Sequence, residues 1–189
     1  PRVIHAMRTI KRHEFVPVDM LPKAYNDMPL PIGLGQTISQ PYVVAHMSEL
    51  LRISPNDIVL EVGTGSGYQA AVLSHLANQV ITVESIPLLA DEAQGRMQSM
   101  EINNVTVLEG DGGLGTPTYG PYDAIIMSAA APKIPVPLMF QLKIGGRLVA
   151  PIGTTITQTL VLYKKMIGHS TRKNLYPVRF VSLTGKWGT

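Results

Sequence analysis

Apolar residues recur along this chain at two different periods, and the change from one to the other divides it near residue 57. Val3, Ile4, Met7 and Ile10 are spaced to share one face of a short helix that ends before Phe15-Val16-Pro17. Residues 17–40 are rich in Pro and Gly, show no sustained period, and read as a long ordered loop. Pro41 stands where a first helical residue should, because its missing N–H costs nothing there. Val43, Val44, Met47, Leu50 and Leu51 follow at the spacing of one helical face, and Ser54-Pro55-Asn56 ends it.

Beyond Asp57, short apolar runs alternate with helical patterns. Residues 58–62 are nearly all apolar, as expected of a strand covered on both faces. Helices are predicted over residues 66–77, 87–100 and 137–143, and strands over 79–84, 105–108, 122–128 and 147–152. Such alternation predicts an α/β fold with a mostly parallel sheet and right-handed crossovers. Two β-rich segments of the tail, residues 159–163 and 178–183, are expected to close the sheet as antiparallel strands.

Length and composition narrow the class. A chain of 189 residues, 45% hydrophobic and 15% charged, suits one globular domain with a sizeable core. The formal charge of +3, from 16 basic and 13 acidic residues, reads as weak and evenly spread, so no nucleic-acid partner is expected. Lys164, Lys165, His169, Arg172 and Lys173 read as a solvated edge. The absence of cysteine excludes a disulfide scaffold, a thiolate nucleophile and a cysteine metal site, and agrees with a cytoplasmic setting. Histidines at 5, 13, 46, 75 and 169 show no ligand spacing, so no metal is expected. No apolar run reaches the roughly 18 residues that span a bilayer, and no membrane association is expected. The chain starts at Pro1 rather than Met, so a leading segment is expected before it. The residues point to no particular oligomeric state.

The chemistry concentrates in Glu61-Val62-Gly63-Thr64-Gly65-Ser66-Gly67-Tyr68, which joins a buried strand to a helix. Glycines there permit a tight turn and close approach of a ligand to the backbone, and the helix start offers unpaired N–H groups. A dinucleotide loop needs Gly-x-Gly-x-x-Gly, but Tyr68 stands where the last glycine belongs. A carboxylate at Glu61 would repel pyrophosphate and suit a cofactor with a positive amino group and no phosphate, which favours S-adenosylmethionine over NAD. Glu84 ends the second strand of the alternating region, about 20 residues past the glycines, where a carboxylate can bond both ribose hydroxyls. Asp111-Gly112 follows the third strand of that region, as a plain turn or as a contact to adenine.

With these residues in view, the chain resembles the protein-L-isoaspartate O-methyltransferase family over almost its whole length. The resemblance is carried by Phe15-Val16-Pro17, Ala24-Tyr25-x-Asp27, Leu30-Pro31-Ile32-Gly33, Gln36-Thr37-Ile38-Ser39-Gln40-Pro41-Tyr42, the glycine loop, Asp111-Gly112, residues 122–126 and residues 145–149. The Thr-Ile-Ser-Gln-Pro run is the most specific of these. The resemblance implies a class I, Rossmann-like methyltransferase fold, a seven-stranded sheet with its last strand inserted antiparallel. It implies one domain, with residues 1–52 on the substrate side and 53–189 as the cofactor core. It implies that S-adenosylmethionine, leaving as S-adenosylhomocysteine, is held by Glu61, Gly63, Thr64, Gly65, Ser66, Gly67, Glu84, Asp111, Gly112 and Thr184, with residues 181–184 as the closing strand. Its substrates would be isoaspartyl peptides and proteins, met by Thr37, Ile38 and Ser39, with Ser39 beside the substrate carboxylate. The family has a longer N-terminal helical region, and often an aromatic where Gly113 follows Gly112.

Methylating a carboxylate needs no general base, because the oxygen is already ionised at neutral pH; alignment alone can supply roughly 7–11 kcal/mol. By position, Thr37 and Ser39 precede a helix and fit capping; the resemblance instead gives Ser39 to the substrate. Residues 29–40 are expected to grip the peptide backbone, where isoaspartate carries its carboxylate directly on Cα. The alternative is another class I methyltransferase acting on RNA or a small molecule. It is disfavoured because Ser128-Ala129-Ala130-Ala131-Pro132 replaces the Asp/Asn-Pro-Pro-aromatic run of amino-methylating enzymes. A binding module without catalysis is a third reading, and would hold the cofactor product yet never turn over.

Overall fold

A computed structural model of the protein describes residues 1–188. Helix α1 (Arg2–Thr9) buries Val3 and Ala6, and Ile10 follows on the same side. Ile4 was expected on this face but is 58% exposed, and Ala6 takes its place because it stands three residues from Val3 and four from Ile10. The expected long loop contains more structure than its composition suggests. A 3-10 turn at Val18–Lys23 precedes an antiparallel hairpin, β1 (Leu30–Gly33) and β2 (Gln36–Ile38). Each strand sends one residue inward, Leu30 opposite Ile38, too few to show an alternating pattern. The turn between them places Gly33, Leu34 and Gly35 at positive φ.

Helix α2 (Pro41–Leu51) starts at its proline and buries Val44, Met47, Ser48 and Leu51. The alternating region follows as β3 (Ile58–Val62), α3 (Tyr68–Ser74), β4 (Gln79–Glu84), α4 (Pro87–Ser99), β5 (Val105–Glu109), β6 (Tyr122–Met127), α5 (Val136–Gln141), β7 (Leu142–Gly153), β8 (Gln158–Lys165) and β9 (Ser170–Val178). Seven strands form one sheet in the order β5-β4-β3-β6-β7-β8-β9. The first five of that order are parallel, while β7–β8 and β8–β9 pair antiparallel. Neighbouring residues along each central strand enter opposite cores. Val59, Val80 and Ala124 join the cluster under α1, α2 and α3, and Leu60, Ile81 and Ile125 join the cluster on the other face. Burial on both faces is why these strands read as unbroken apolar runs.

The mostly parallel fold class stands, but the end of the sheet is arranged differently from the expectation. The last strand is not inserted: β8 lies beside β7, and β9 takes the edge. Its range is Ser170–Val178, not 178–183. Ser170, Thr171, Arg172, Lys173 and Pro177 give it the polar, proline-bearing character of an edge strand, which hides it from a hydrophobic search. Residues 181–184 are likewise not a closing strand. They cross the end of the sheet as a single parallel bridge, Ala130 to Ser182, with Leu183 N–H donating to the Ala130 carbonyl at 2.7 Å.

Between Tyr122 and Ala124 the register of β6 on β7 shifts, and β7 takes up the slack at Gly145, which has φ +86°, and Gly146. A Cβ on Gly146 would lie 2.8 and 2.9 Å from the Lys143 and Asp123 carbonyl oxygens, which are backbone and cannot swing away. Gly146→Ala is expected to lower stability by about 1–3 kcal/mol. Urea unfolding should show a lower midpoint at constant slope, and an unchanged midpoint would show that the strand relaxes at no cost.

Candidate active site

Strand order reverses between β3 and β6, because β4 and β5 build outward on one side and β6 and β7 on the other. Crossover chains therefore part at the carboxyl ends of β3 and β6, which is where open α/β sheets bind ligands. An open cleft lies there. Its floor is the glycine turn, with Gly63 at φ +91° and Gly65 at φ +53°. Thr37, Ile38 and Ser39 border it from the N-terminal segment, Glu84, Ser85 and Ile86 from the end of β4, and Val181 to Thr184 from the tail. Two glutamates and no Lys, Arg or His line it among the described residues.

Glu84 is 5% exposed and accepts three backbone hydrogen bonds, from Gly65 N–H at 2.8 Å, Ser85 N–H at 2.9 Å and Ile86 N–H at 3.1 Å. The first crosses from β4 to the glycine turn and fixes the turn against the strand. Thr184 closes the same corner by donating from Oγ1 to Ser85 Oγ at 2.8 Å. A second, open cavity lies beside the first and shares Thr37, Ser39, Ser128 and Val181 with it. Its walls come from the start of α2 and the end of β9, fastened together where His46 Nδ1 meets Tyr176 Oη at 2.7 Å with stacked rings.

A family model described as protein-L-isoaspartate(D-aspartate) O-methyltransferase matches residues 1–188. The chain is similar to protein-L-isoaspartate O-methyltransferase 2 of Polaromonas sp., at 51% identity over 98% of this chain and 89% of the relative. It is also 52% identical to the enzyme of that name in Nitrosococcus oceani, over 98% and 85%. The chain belongs to the protein-L-isoaspartate(D-aspartate) O-methyltransferase family. A solved protein-L-isoaspartate O-methyltransferase superposes with a TM-score of 0.92 at 30% identity, over 99% of this chain and 62% of the solved one. A Plasmodium falciparum structure, described as a putative protein-L-isoaspartate O-methyltransferase in complex with S-adenosyl-L-homocysteine, shares the fold at TM-score 0.82 and 24% identity, over 97% of this chain and 90% of that one.

Of the residues that the methyltransferase resemblance singled out, Thr37, Ile38, Ser39, Glu61, Gly63, Thr64, Gly65, Ser66, Glu84, Gly112 and Thr184 line the cleft. Gly67 and Asp111 do not. Gly67, at φ +86°, faces helix α4, where a Cβ would meet Met97 at 2.8 Å. Asp111 accepts from Gly113 N–H and Lys186 N–H, each at 2.9 Å, and so ties the tail to the turn after β5. Reasoning from residues alone missed Ser85, Ile86 and Ser128. Each follows directly on the end of β4 or β6, so the switch-point rule could have found them.

The expected negative charge at Glu61 needs correction. Its side chain is wholly buried, accepts from Thr82 Oγ1 at 2.7 Å and from Ser128 Oγ at 3.4 Å, and its pKa is pushed up to about 8 by burial. Near neutral pH the ligand-free methyltransferase therefore holds a proton there. Unfolded, this group loses its proton near 4.5, so the stability it contributes is full below that pH and falls as pH rises toward 8. Between about pH 5 and 8 the ligand-free wild type should lose roughly 2–4 kcal/mol relative to Glu61→Gln in urea titrations. A difference that stays constant with pH would mean that Glu61 is ionised when folded.

Proposed function

We propose that this chain transfers a methyl group from S-adenosylmethionine to the free α-carboxylate of isoaspartyl residues in damaged proteins, the cleft holding the donor and the adjoining groove the peptide. S-adenosylmethionine supplies an electrophilic methyl on a sulfonium and leaves as S-adenosylhomocysteine. The cleft suits it: a phosphate-bearing ligand would meet two carboxyl groups and no cation, whereas an adenosine needs hydroxyl acceptors and a neutral cradle. Glu84, already aligned by its three backbone donors, has one acceptor site left, on Oε2, for a ribose hydroxyl. Gly63, Thr64, Gly65 and Ser66 offer the backbone on which the donor lies, Gly112 the adenine side, and Thr184 the closing edge. Asp111 and Gly67 support this set from behind. Glu61 sits where a cationic amino group would draw off its proton.

The observation that carries the substrate side is the capping of α2. Position alone favoured Thr37 or Ser39 as the cap, yet the helix start is served from elsewhere: Asp27 accepts Tyr42 N–H at 2.9 Å and Gln40 Nε2 at 2.8 Å. These bonds, the backbone one foremost, hold the Asp27 carboxyl below its ordinary pKa. The Ser39 hydroxyl has no hydrogen bond within the chain among the described residues, and it borders both cavities. It is free to donate to one oxygen of a substrate carboxylate and leave the other facing the donor. No base is required, so alignment and exclusion of water are what the site contributes. Thr37 and Ile38 hold the peptide beside it. In this reading residues 1–52 form the substrate side of a single domain and residues 53–189 its cofactor core.

The lack of cysteine accords with work in the reducing cytoplasm. Among the described residues, no helix is long and apolar enough to cross a membrane.

Ser39→Ala should lower kcat roughly tenfold or more while calorimetry shows S-adenosylhomocysteine affinity within about twofold of wild type, since Ser39 is assigned to substrate alignment. Unchanged turnover would remove Ser39 from the reaction. Labelled-methyl transfer to one peptide in isoaspartyl and aspartyl versions tests the substrate itself, with base-labile label expected on the first alone. Equal labelling of both would contradict this reading.

A further inference from the structure

The formal charge is not evenly spread, contrary to the first reading of the composition. Residues after Asp123 include nine Lys or Arg and no Asp or Glu, whereas residues 1–123 carry all 13 acids and seven basic residues. The outer half of the sheet, β7 to β9, is built wholly from this basic stretch. Lys164, Arg172 and Lys173 on the β8–β9 hairpin make no ion pair among the described residues, nor does Arg179 just beyond β9.

The groove beside the cleft has opposite electrical character at its two walls. On the α2 wall, Gln40 and Tyr42 line it, and both donate to the Asp27 carboxylate behind them. On the β9 wall stands Arg179, exposed and without a hydrogen bond within the chain among the described residues. Among the described residues it is the one Lys, Arg, Asp or Glu that lines the groove. A groove with an unpartnered guanidinium on one wall and a carboxylate behind the other discriminates partners by charge. The groove is continuous with the donor cleft through Ser39 and Ser128, so a peptide whose altered residue reaches Ser39 has a flank running along Arg179.

We propose that Arg179 is a specificity-determining residue that selects isoaspartyl peptides with an acidic side chain on one flank of the altered residue. This rests on the peptide occupying the groove as set out above. Arg179 acts as a rim charge: it speeds encounter and holds the flank, and it takes no part in the methyl transfer. Because Asp27 stands behind the opposite wall, the preference is one-sided. An acid on the Arg179 side helps and an acid on the other side does not.

The test uses hexapeptides with one central isoaspartate and a neutral, acidic or basic residue on either flank, assayed for labelled-methyl transfer by the full chain. At low salt kcat/KM should favour acid over base on one flank by roughly fivefold, the size of one exposed charge pair, chiefly through KM. The ratio should shrink toward one at about 0.5 M salt, where screening is short-ranged. Arg179→Glu should reverse the ratio, and Lys11→Glu, which makes the same charge change at a residue that does not line the groove, should leave it as in wild type. A wild-type ratio of one, or a preference that survives Arg179→Glu, overturns the inference while the neutral isoaspartyl peptide still reports the activity. If that neutral peptide is not labelled either, the inference falls together with the reading on which it rests.

Discussion

A single charge-assisted contact, Gly65 N–H to the Glu84 carboxylate, decides the shape of the site. Gly63 N–H donating to the Val83 carbonyl at 2.9 Å and the Thr64–Thr82 hydroxyl pair at 2.6 Å tie the start of the glycine turn to β4, but neither holds Gly65. Glu84 supplies the link from the next strand, and its second oxygen is held in turn by the N–H groups of Ser85 and Ile86. Hydrogen bonds to an ionised acceptor are roughly twice as strong as neutral ones, so the turn and the β4 exit behave as one rigid corner. Thr184 docks on this corner through Ser85, and the tail is fastened again through Asp111 to Lys186. The same carboxylate can thus shape the cleft and face what enters it.

The N-terminal segment is tied to that corner by a different device. Arg12 is 1% exposed, donates from Nε to the Ala24 carbonyl at 2.8 Å, and lies over the ring of Tyr68, a residue of the cleft lining. Asp27, three residues past Ala24, then caps α2. A buried guanidinium and a remote cap therefore position the stretch from 24 to 42, and the hydroxyl of Ser39 is spared for a ligand. Local sequence rules assign that hydroxyl to the helix because they see only neighbours in the chain. In the fold a residue fourteen positions before Pro41 does the capping.

Legibility from sequence followed how much of the signal was local. The central strands were readable to within a residue or two because both of their faces are buried, leaving runs such as Ile58-Val59-Leu60 with no polar interruption. The β1–β2 hairpin and β9 were not, since the first buries one residue per strand and the second is a polar edge. The glycine turn and Glu84 in the cleft lining were legible because they sit on one contiguous loop and at a strand end of known spacing. Three features needed the fold. The proton on Glu61 depends on complete burial, the free hydroxyl of Ser39 on Asp27, and the charged wall of the groove on β9 being the outermost strand beside α2.

The decisive measurement is calorimetric titration of the chain with S-adenosylhomocysteine, for wild type and Glu84→Gln, with NAD as the competing ligand. An amide at position 84 must turn its NH₂ toward at least one of three N–H donors, which spoils the corner without changing its size. Wild type should bind at one site per chain, Glu84→Gln at least roughly tenfold more weakly, and NAD should give no heat. Equal affinity in the two proteins, or binding of NAD in place of S-adenosylhomocysteine, would contradict it.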